Sequence, residues 1–310
     1  MAYPTWDLSN TPGIETAETV PAFDADAFTL ELLDTEFIRR NRPCLIKGAV
    51  RHSKAHRAWN DLDYLRRRGG DENVLVHTAP KLTNFFNLRP RSTVEALAKA
   101  RVPHQTLPLR DVLERLDAYD FLQVQLPIKE FGADVGEVSF VTRKLRPSPF
   151  YPDFGLMMHK KSLSGWHFHP FTEAFMCQLG APKRVVLGSS NSETWKCIYP
   201  AYRASPYAWS FDTGQFPEYR AFRPYVTAVE PGDALYIPVW WWHIVSSITS
   251  DLGFTISRWW DAPAVTKLNP KYPATRHALK YSKRRYLMAM AQALAPDPLK
   301  SLFQKRHAAE

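Results

Sequence analysis

Between Leu156 and Trp259 the chain breaks into short apolar or alternating runs closed by turn residues, and this rhythm constrains the fold more than any other feature. The runs are Leu156 to His159, Trp166 to His169, Ala174 to Leu179, Arg184 to Leu187, Val226 to Val229, Ala234 to Ile237, His243 to Ser247 and Thr255 to Trp259. Each is too short for a stable helix, and several alternate with the two-residue period of a half-buried strand. Short strands in series predict an all-β sandwich or barrel. The stretch from Ile198 to Phe222, with its aromatics, prolines and Gly214, reads as a long surface loop and a candidate substrate lid.

The flanks read differently. A helix is expected over Phe28 to Arg40, then a strand from Pro43 to Val50. A helix from Trp59 to Arg68 stops at Gly69-Gly70, and the strand Asn73 to Ala79 follows. The helix Leu109 to Leu116 leads into an alternating strand, Phe121 to Leu126. Residues 1–25 read as a loosely held arm. The tail from Ala274 to Leu294 carries Leu279, Leu287, Met290 and Leu294 as an apolar helical stripe, bracketed by Pro273 and Pro296. Such a stripe packs on the barrel or on a second subunit, which makes a homodimer a candidate; a membrane-surface helix is the other use. The expected division is an arm (1–25), a β-rich domain (26–262) and a C-terminal helical extension (263–310).

With 310 residues, 45% hydrophobic and 23% charged, the chain can bury a full core. Cys44, Cys177 and Cys197 form no CxxC pair, and the start MAYPTWDLSNTPG carries no signal-peptide pattern. No apolar run approaches membrane-spanning length. These features fit a reducing, cytoplasmic setting. The net charge of +9 gathers in Arg39, Arg40 and Arg42, in Arg66, Arg67 and Arg68, and in Lys280, Lys283, Arg284 and Arg285. Scattered along the chain and without a nucleic-acid motif, these clusters read as solvated helix faces.

Four residues carry the chemistry: His167 and His169 in SGWHFHPFTEAF, Glu173 four residues on, and His243 in PGDALYIPVWWWHIV. Residues two apart on a strand point to one side, so His167 and His169 can reach one point. Imidazoles suit iron, copper, nickel and zinc, and a carboxylate beside them suits a hard or borderline divalent ion such as manganese. A metal site built on β-strands is expected.

The spacing His167-x-His169, three residues, Glu173, six residues, Gly180 resembles the first motif of the cupin superfamily. Gly232, five residues, Pro238 and then His243 resembles the second, with Trp240 where glycine is usual. The chain is most similar to the JmjC-like cupins, the group that includes the asparaginyl hydroxylase of hypoxia-inducible factor. PGDALYIPVWWWHIVSS, KRVVL from Lys183 to Leu187, NRPCLIKGAV from Asn41 to Val50, FLQ from Phe121 to Gln123 and SRWW from Ser257 to Trp260 carry that likeness over residues 30–262. The resemblance implies a mainly β fold, with a double-stranded β-helix (cupin or jelly-roll) core between N-terminal helices and a C-terminal helical segment. It also implies Fe(II) bound by His-x-Asp and a distal His, with 2-oxoglutarate gripped by Tyr, Thr, Lys and Asn. Here His169 replaces the Asp, and the co-substrate positions hold Phe121, Ser164, Pro182 with Lys183 beside it, Glu173 and Arg258.

The expected function is therefore a non-haem metal-dependent oxygenase, with Fe(II) foremost among the metals and O2 and a small-molecule or peptide substrate as its partners. His167, His169 and His243 would bind the ion, with Glu173 a fourth ligand or a carboxylate behind the ligands, pairing with Arg258. Ser164, Lys183 and Arg258 would hold an anion, 2-oxoglutarate among the candidates. The alternatives are a three-His or three-His, one-Glu dioxygenase that uses no 2-oxoglutarate, a zinc or manganese cupin of isomerase or lyase type, and a binding module. Trp241, Trp242, Trp259 and Trp260 divide between packing and pocket lining. His159 reads as a hydrogen-bonded polar residue, and Cys177 as a buried hydrophobe on the strand face of Glu173.

Overall fold

A computed structural model describes residues 8–78, 104–136, 146–148, 151–152, 154–204, 213–281 and 287. The expected strand rhythm folds as two facing sheets. The strands are β1 (Glu18–Thr19), β2 (Ala22–Asp24), β3 (Cys44–Lys47), β4 (Asn73–His77), β5 (His104–Pro108), β6 (Leu122–Gln125) and β7 (Phe154–Lys160). They continue with β8 (Leu163–His167), β9 (Thr172–Gly180), β10 (Lys183–Gly188), β11 (Tyr225–Val229), β12 (Ala234–Ile237), β13 (Trp242–Ser247) and β14 (Gly253–Asp261). One sheet runs β1-β11-β10-β13-β8 and the other β2-β3-β12-β9-β14-β7-β6-β4-β5. β1 and β2 join in parallel to β11 and β3; the other described pairs are antiparallel. The mainly β, jelly-roll class is as expected.

Alternation along β9 assigns the layers. Ala174 and Met176 join Leu45, Val185, Leu187, Val229, Leu235, Ile237 and Val245 in the cluster between the two sheets. Phe175, Cys177 and Leu179 point the other way, into a core shared with Trp59, Leu65, Leu109 and Phe131 of the N-terminal helices. β9 is therefore buried on both faces, which is why TEAFMCQLG reads as a nearly continuous apolar run. The turn after β9 needs Gly180: its φ is +69°, and a Cβ there would stand 2.8 Å from the Leu252 carbonyl.

Several expectations are corrected. Residues 18–24, read as part of a loose arm, add β1 and β2 to the sheet edges, and Val20 is buried between the sheets. The Ile198 to Phe222 stretch is not simply a loop. A helix, Ser192–Ala204, runs through Pro200, and a 3-10 turn covers Pro217–Ala221. Ile198, Ala201, Tyr202, Tyr219 and Phe222 anchor these pieces in a third cluster with Trp166, Trp240 and Trp242, so they cover the outside of the smaller sheet. Proline and the aromatics suggested a loop, but burial of one helical face outweighs propensity here. The helix expected from Trp59 to Arg68 runs over Leu62–Gly69, and a separate short helix, Lys54–Ala58, precedes it. The Phe28 to Arg40 helix is a single α-turn, Leu30–Leu32, continued by a π-helical Leu33–Ile38. The C-terminal helix is described over Pro273–Tyr281, with Leu279 and Leu287 exposed; Met290 and Leu294 lie outside the described residues.

Much of the positive charge is locally matched, as the reading of solvated faces expects. Arg39 pairs with Asp34, Arg40 with Glu36, Arg66 with Asp63 and Arg67 with Asp61. Among the described residues no helix is long and apolar enough to cross a membrane.

Candidate metal centre

His167 ends β8 and stands directly opposite His243 on β13. Two residues along β13, Val245 pairs with Ser164, three residues back on β8. The extra residue is a bulge, and it places both Ser164 and His167 opposite inward-facing residues of β13. His169 lies past the end of β8, and its carbonyl accepts a bond from Trp240 N–H at 3.3 Å. The three rings meet with centroids 4.0 Å (His167 and His243), 4.7 Å (His169 and His243) and 5.6 Å (His167 and His169) apart. One nitrogen from each lies within 4.8 Å of the others.

The tautomers suit a cation. His167 Nδ1 is 2.7 Å from the Gly165 carbonyl, and His243 Nδ1 is 3.0 Å from the Trp241 carbonyl. A carbonyl accepts only from N–H, so each Nδ1 carries the proton and each Nε2 offers its lone pair. Ligating histidines are oriented in this way. Burial lowers all three pKa values, that of His169 to about 3, with the neighbouring histidines adding to the effect at His169 and His243. The rings are neutral at pH 7, the state a metal requires. His169 Nδ1 is buried without a hydrogen-bond partner among the described residues. Three neutral imidazoles converging in a part-buried cleft fit iron, copper, nickel or zinc.

Glu173 does not join them. It points to the outer face of β9 with Phe175 and Cys177, where Oε2 accepts from the Tyr236 hydroxyl (2.7 Å) and from Val239 N–H (2.8 Å). Its strand phase decides this: Ala174, not Glu173, faces between the sheets. Burial raises the Glu173 carboxyl to about 7, against the pull of the Tyr236 and Val239 bonds. Cys177 shares that face as expected, and burial pushes its thiol up to about 12.

Arg258 is likewise turned away. Phe254, Ile256 and Trp260 of β14 belong to the outer core, and Arg258, in phase with them, lies over the Phe154 ring at 5.1 Å. The expected anion-holding role of Arg258 between the sheets is not supported by this placement, which puts Arg258 on the same outer face as Glu173. The inward residue is Trp259, which packs against the cluster between the sheets, stacks on Tyr151 at 5.4 Å and lies 6.3 Å from His169.

Lys183 does face inward. It leads the phase Lys183, Val185, Leu187 on β10, opposite Ser247 on β13, and is 4% exposed. Burial lowers its pKa to about 7. Around this end lies a polar floor. Ser162 and Ser247 hydroxyls are 3.2 Å apart, Thr255 donates to Gln178 Oε1 at 2.8 Å, and His159 Nε2 is 3.2 Å from Thr255 Oγ1. His159 is thus the hydrogen-bonded polar residue expected. Its pKa lies well below the usual value through burial and then the charge of Lys183.

Sequence reading missed two partners of the site. Tyr236 looked like any alternating strand residue. Asn41, with a left-handed φ of 50°, donates from Nδ2 to the Val239 carbonyl at 3.1 Å across 198 positions of sequence, a separation that no motif spacing signals.

Residues 30–265 match the cupin-like domain family. Among characterised proteins, the chain is 37% identical over 260 residues to lysine-specific demethylase 8 of Xenopus tropicalis, covering 80% of this chain and 54% of that protein. It is 24% identical over 242 residues to Jumonji C domain-containing protein 5 of Drosophila melanogaster, covering 76% and 59%. It is also 24% identical over 233 residues to tRNA wybutosine-synthesizing protein 5 of Danio rerio, covering 70% and 68%. The chain thus spans little more than half the length of the first two. With the matched segment taking in β3 to β14 and all three histidines, the chain belongs to the cupin-like domain family and has Jumonji C proteins among its relatives.

Proposed function

We propose that this protein is a non-haem metal-dependent oxygenase, with Fe(II) held by His167, His169 and His243 and 2-oxoglutarate held as co-substrate by Lys183 and Ser164. The observation that carries the reading is the shared interior: three neutral imidazoles and one buried lysine face the same space between the sheets. Bound there, Fe(II) would supply the redox chemistry that lets O2 attack a C–H bond.

The chain's own residues would do the rest. Lys183 would grip the distal carboxylate through charge-assisted bonds, and Ser164 would donate beside it. The Gly165 and Trp241 carbonyls hold His167 and His243 with Nε2 forward. The apolar wall of Ala174, Met176, Val185 and Leu187 would exclude water behind the reacting atoms. The stacked Tyr151 and Trp259 beside His169 would form a wall for the substrate. The names of the relatives point to protein lysine in one case and tRNA in another; for this chain we take a peptide or small-molecule substrate.

One observation favours a second reading. The converging donors are three imidazoles with no carboxylate, so a substrate with its own negative charge would bind the ion directly, and 2-oxoglutarate would not be needed. Anaerobic loading with Fe(II), titration with 2-oxoglutarate, and assay of O2 uptake and succinate separate the two. Succinate formed with O2 uptake supports the first. Substrate-dependent O2 uptake without 2-oxoglutarate binding supports the second. Activity that persists without O2, with zinc or manganese bound, overturns both.

A further inference from the structure

The turn between β12 and β13, Pro238 to Trp241, touches two of the three histidines. Trp240 N–H donates to the His169 carbonyl at 3.3 Å, and the Trp241 carbonyl orients His243 Nδ1 at 3.0 Å. His169 stands beyond the end of β8, so this bond holds its backbone where the ladder has stopped. The turn is itself strained, since Trp240 adopts a φ of 69°, a region costly for any side chain with a Cβ. Something must hold it.

Two buried side chains do so from opposite sides. On one side Asn41 donates to the Val239 carbonyl and accepts from Trp241 Nε1 at Oδ1 (2.7 Å) and at its own carbonyl (2.9 Å), with Ser190 Oγ donating to the same Oδ1 at 2.9 Å. On the other, Glu173 Oε2 accepts from Val239 N–H and from the Tyr236 hydroxyl. Glu173 is fully buried on a strand face that excludes it from the histidine cluster, and Oε1 has no hydrogen-bond partner among the described residues. A carboxylate placed there is costly unless its bonds matter to the structure around it.

We infer that Glu173 is a positioning residue of the three-histidine centre rather than one of its ligands, acting through Val239 N–H to fix the turn that carries His243 and restrains His169. The inference rests on the metal-binding reading above, but its structural half can be measured without metal.

The test uses the full chain with E173A, E173Q and Y236F. In the metal-free protein, hydrogen exchange at the Val239 and Trp240 amides rises at least tenfold in E173A and stays within threefold of wild type in E173Q, whose amide oxygen still accepts both bonds. With Co(II) alone as probe, E173A weakens binding about 10- to 100-fold, the range for lost outer partners of a metal site. E173Q keeps the wild-type Co(II) absorption spectrum and an affinity within threefold. A loss in E173Q as large as that of H243A, with an altered spectrum, makes Glu173 a ligand and overturns the inference. So does folded E173A with unchanged exchange and affinity. If E173A does not fold, Y236F decides: it removes one of the two donors, and unchanged Val239 exchange and Co(II) affinity overturn the inference. Wild-type protein that binds no Co(II) overturns the metal reading itself, whatever the exchange data show.

Discussion

Lys183 and His243 stand on paired strands and face the same interior, four residues of ladder apart: His243 is opposite Leu187, and Lys183 is opposite Ser247. At about 3.4 Å per residue their backbones are roughly 14 Å apart along the strands.

Lys183 is the first target. K183M should abolish 2-oxoglutarate binding by calorimetry, or weaken it more than tenfold, while Co(II) binding stays within threefold. It should also stabilise the protein at neutral pH, because burial has lowered the folded pKa to about 7 from 10.5. The unfolded chain then holds more protons than the folded one between those values, so wild-type stability rises with pH across that window. The advantage of K183M, on the order of a few kcal/mol at pH 7, should shrink as melts are repeated from pH 7 toward pH 10.5. A constant advantage would place Lys183 in contact with solvent.

His243 tests the centre directly. H243A should lower Co(II) affinity at least 100-fold by competition titration, and H167A should do the same. Replacing His52, which lies outside the cluster, should change nothing. The metal-free H243A protein should keep the far-UV circular dichroism of wild type.

Trp240 weighs strain against packing. Glycine would relieve the left-handed backbone, worth about 1–2 kcal/mol. It would also delete a fully buried indole that packs on Phe168 and Phe171, with centroids 5.8 and 4.9 Å away, and donates to the Lys267 carbonyl. Removing such a ring costs about 3–5 kcal/mol. Packing wins: W240G should lose about 2 kcal/mol by urea unfolding and bind Co(II) more weakly.

Asp134 tests the support beneath β9. Its buried carboxylate accepts from Tyr64 at 2.6 Å and Trp59 at 3.1 Å and pairs with Lys54 at 3.2 Å. Burial alone would raise its pKa, but the bonds from Tyr64, Trp59 and Lys54 prevail and lower it. A lowered folded value stabilises above the unfolded pKa and is lost as pH falls through the folded one. D134A should cost about 2 kcal/mol at pH 7, and the difference from wild type should fade in melts below pH 4.

The strands and the three histidines were legible because both rest on local periodicity and spacing. His167 and His243 fell on strands whose alternation could be read, and Lys183 shares the inward phase of Val185 and Leu187 on β10. Glu173 and Arg258 were misplaced for one reason. Motif spacing counts residues, whereas the face a side chain takes depends on strand phase, and the phase of β9 and β14 is set by pairing partners more than fifty positions away in sequence. The Ile198 to Phe222 helices were hidden because tertiary burial, not propensity, makes them. The contact of Asn41 with Val239, 198 positions away, left no trace in motif spacing.

β9 is covered on both sides, so each of its residues belongs to one of two worlds. Moving the strand by a single residue would exchange their contents, bringing Glu173 to the histidines and sending Ala174 to Tyr236. Pro170 and Phe171 link His169 to β9, and Phe171 takes a left-handed φ of 62°. The spacing between His169 and the start of β9 therefore decides which of two sets of side chains the strand turns toward the histidines.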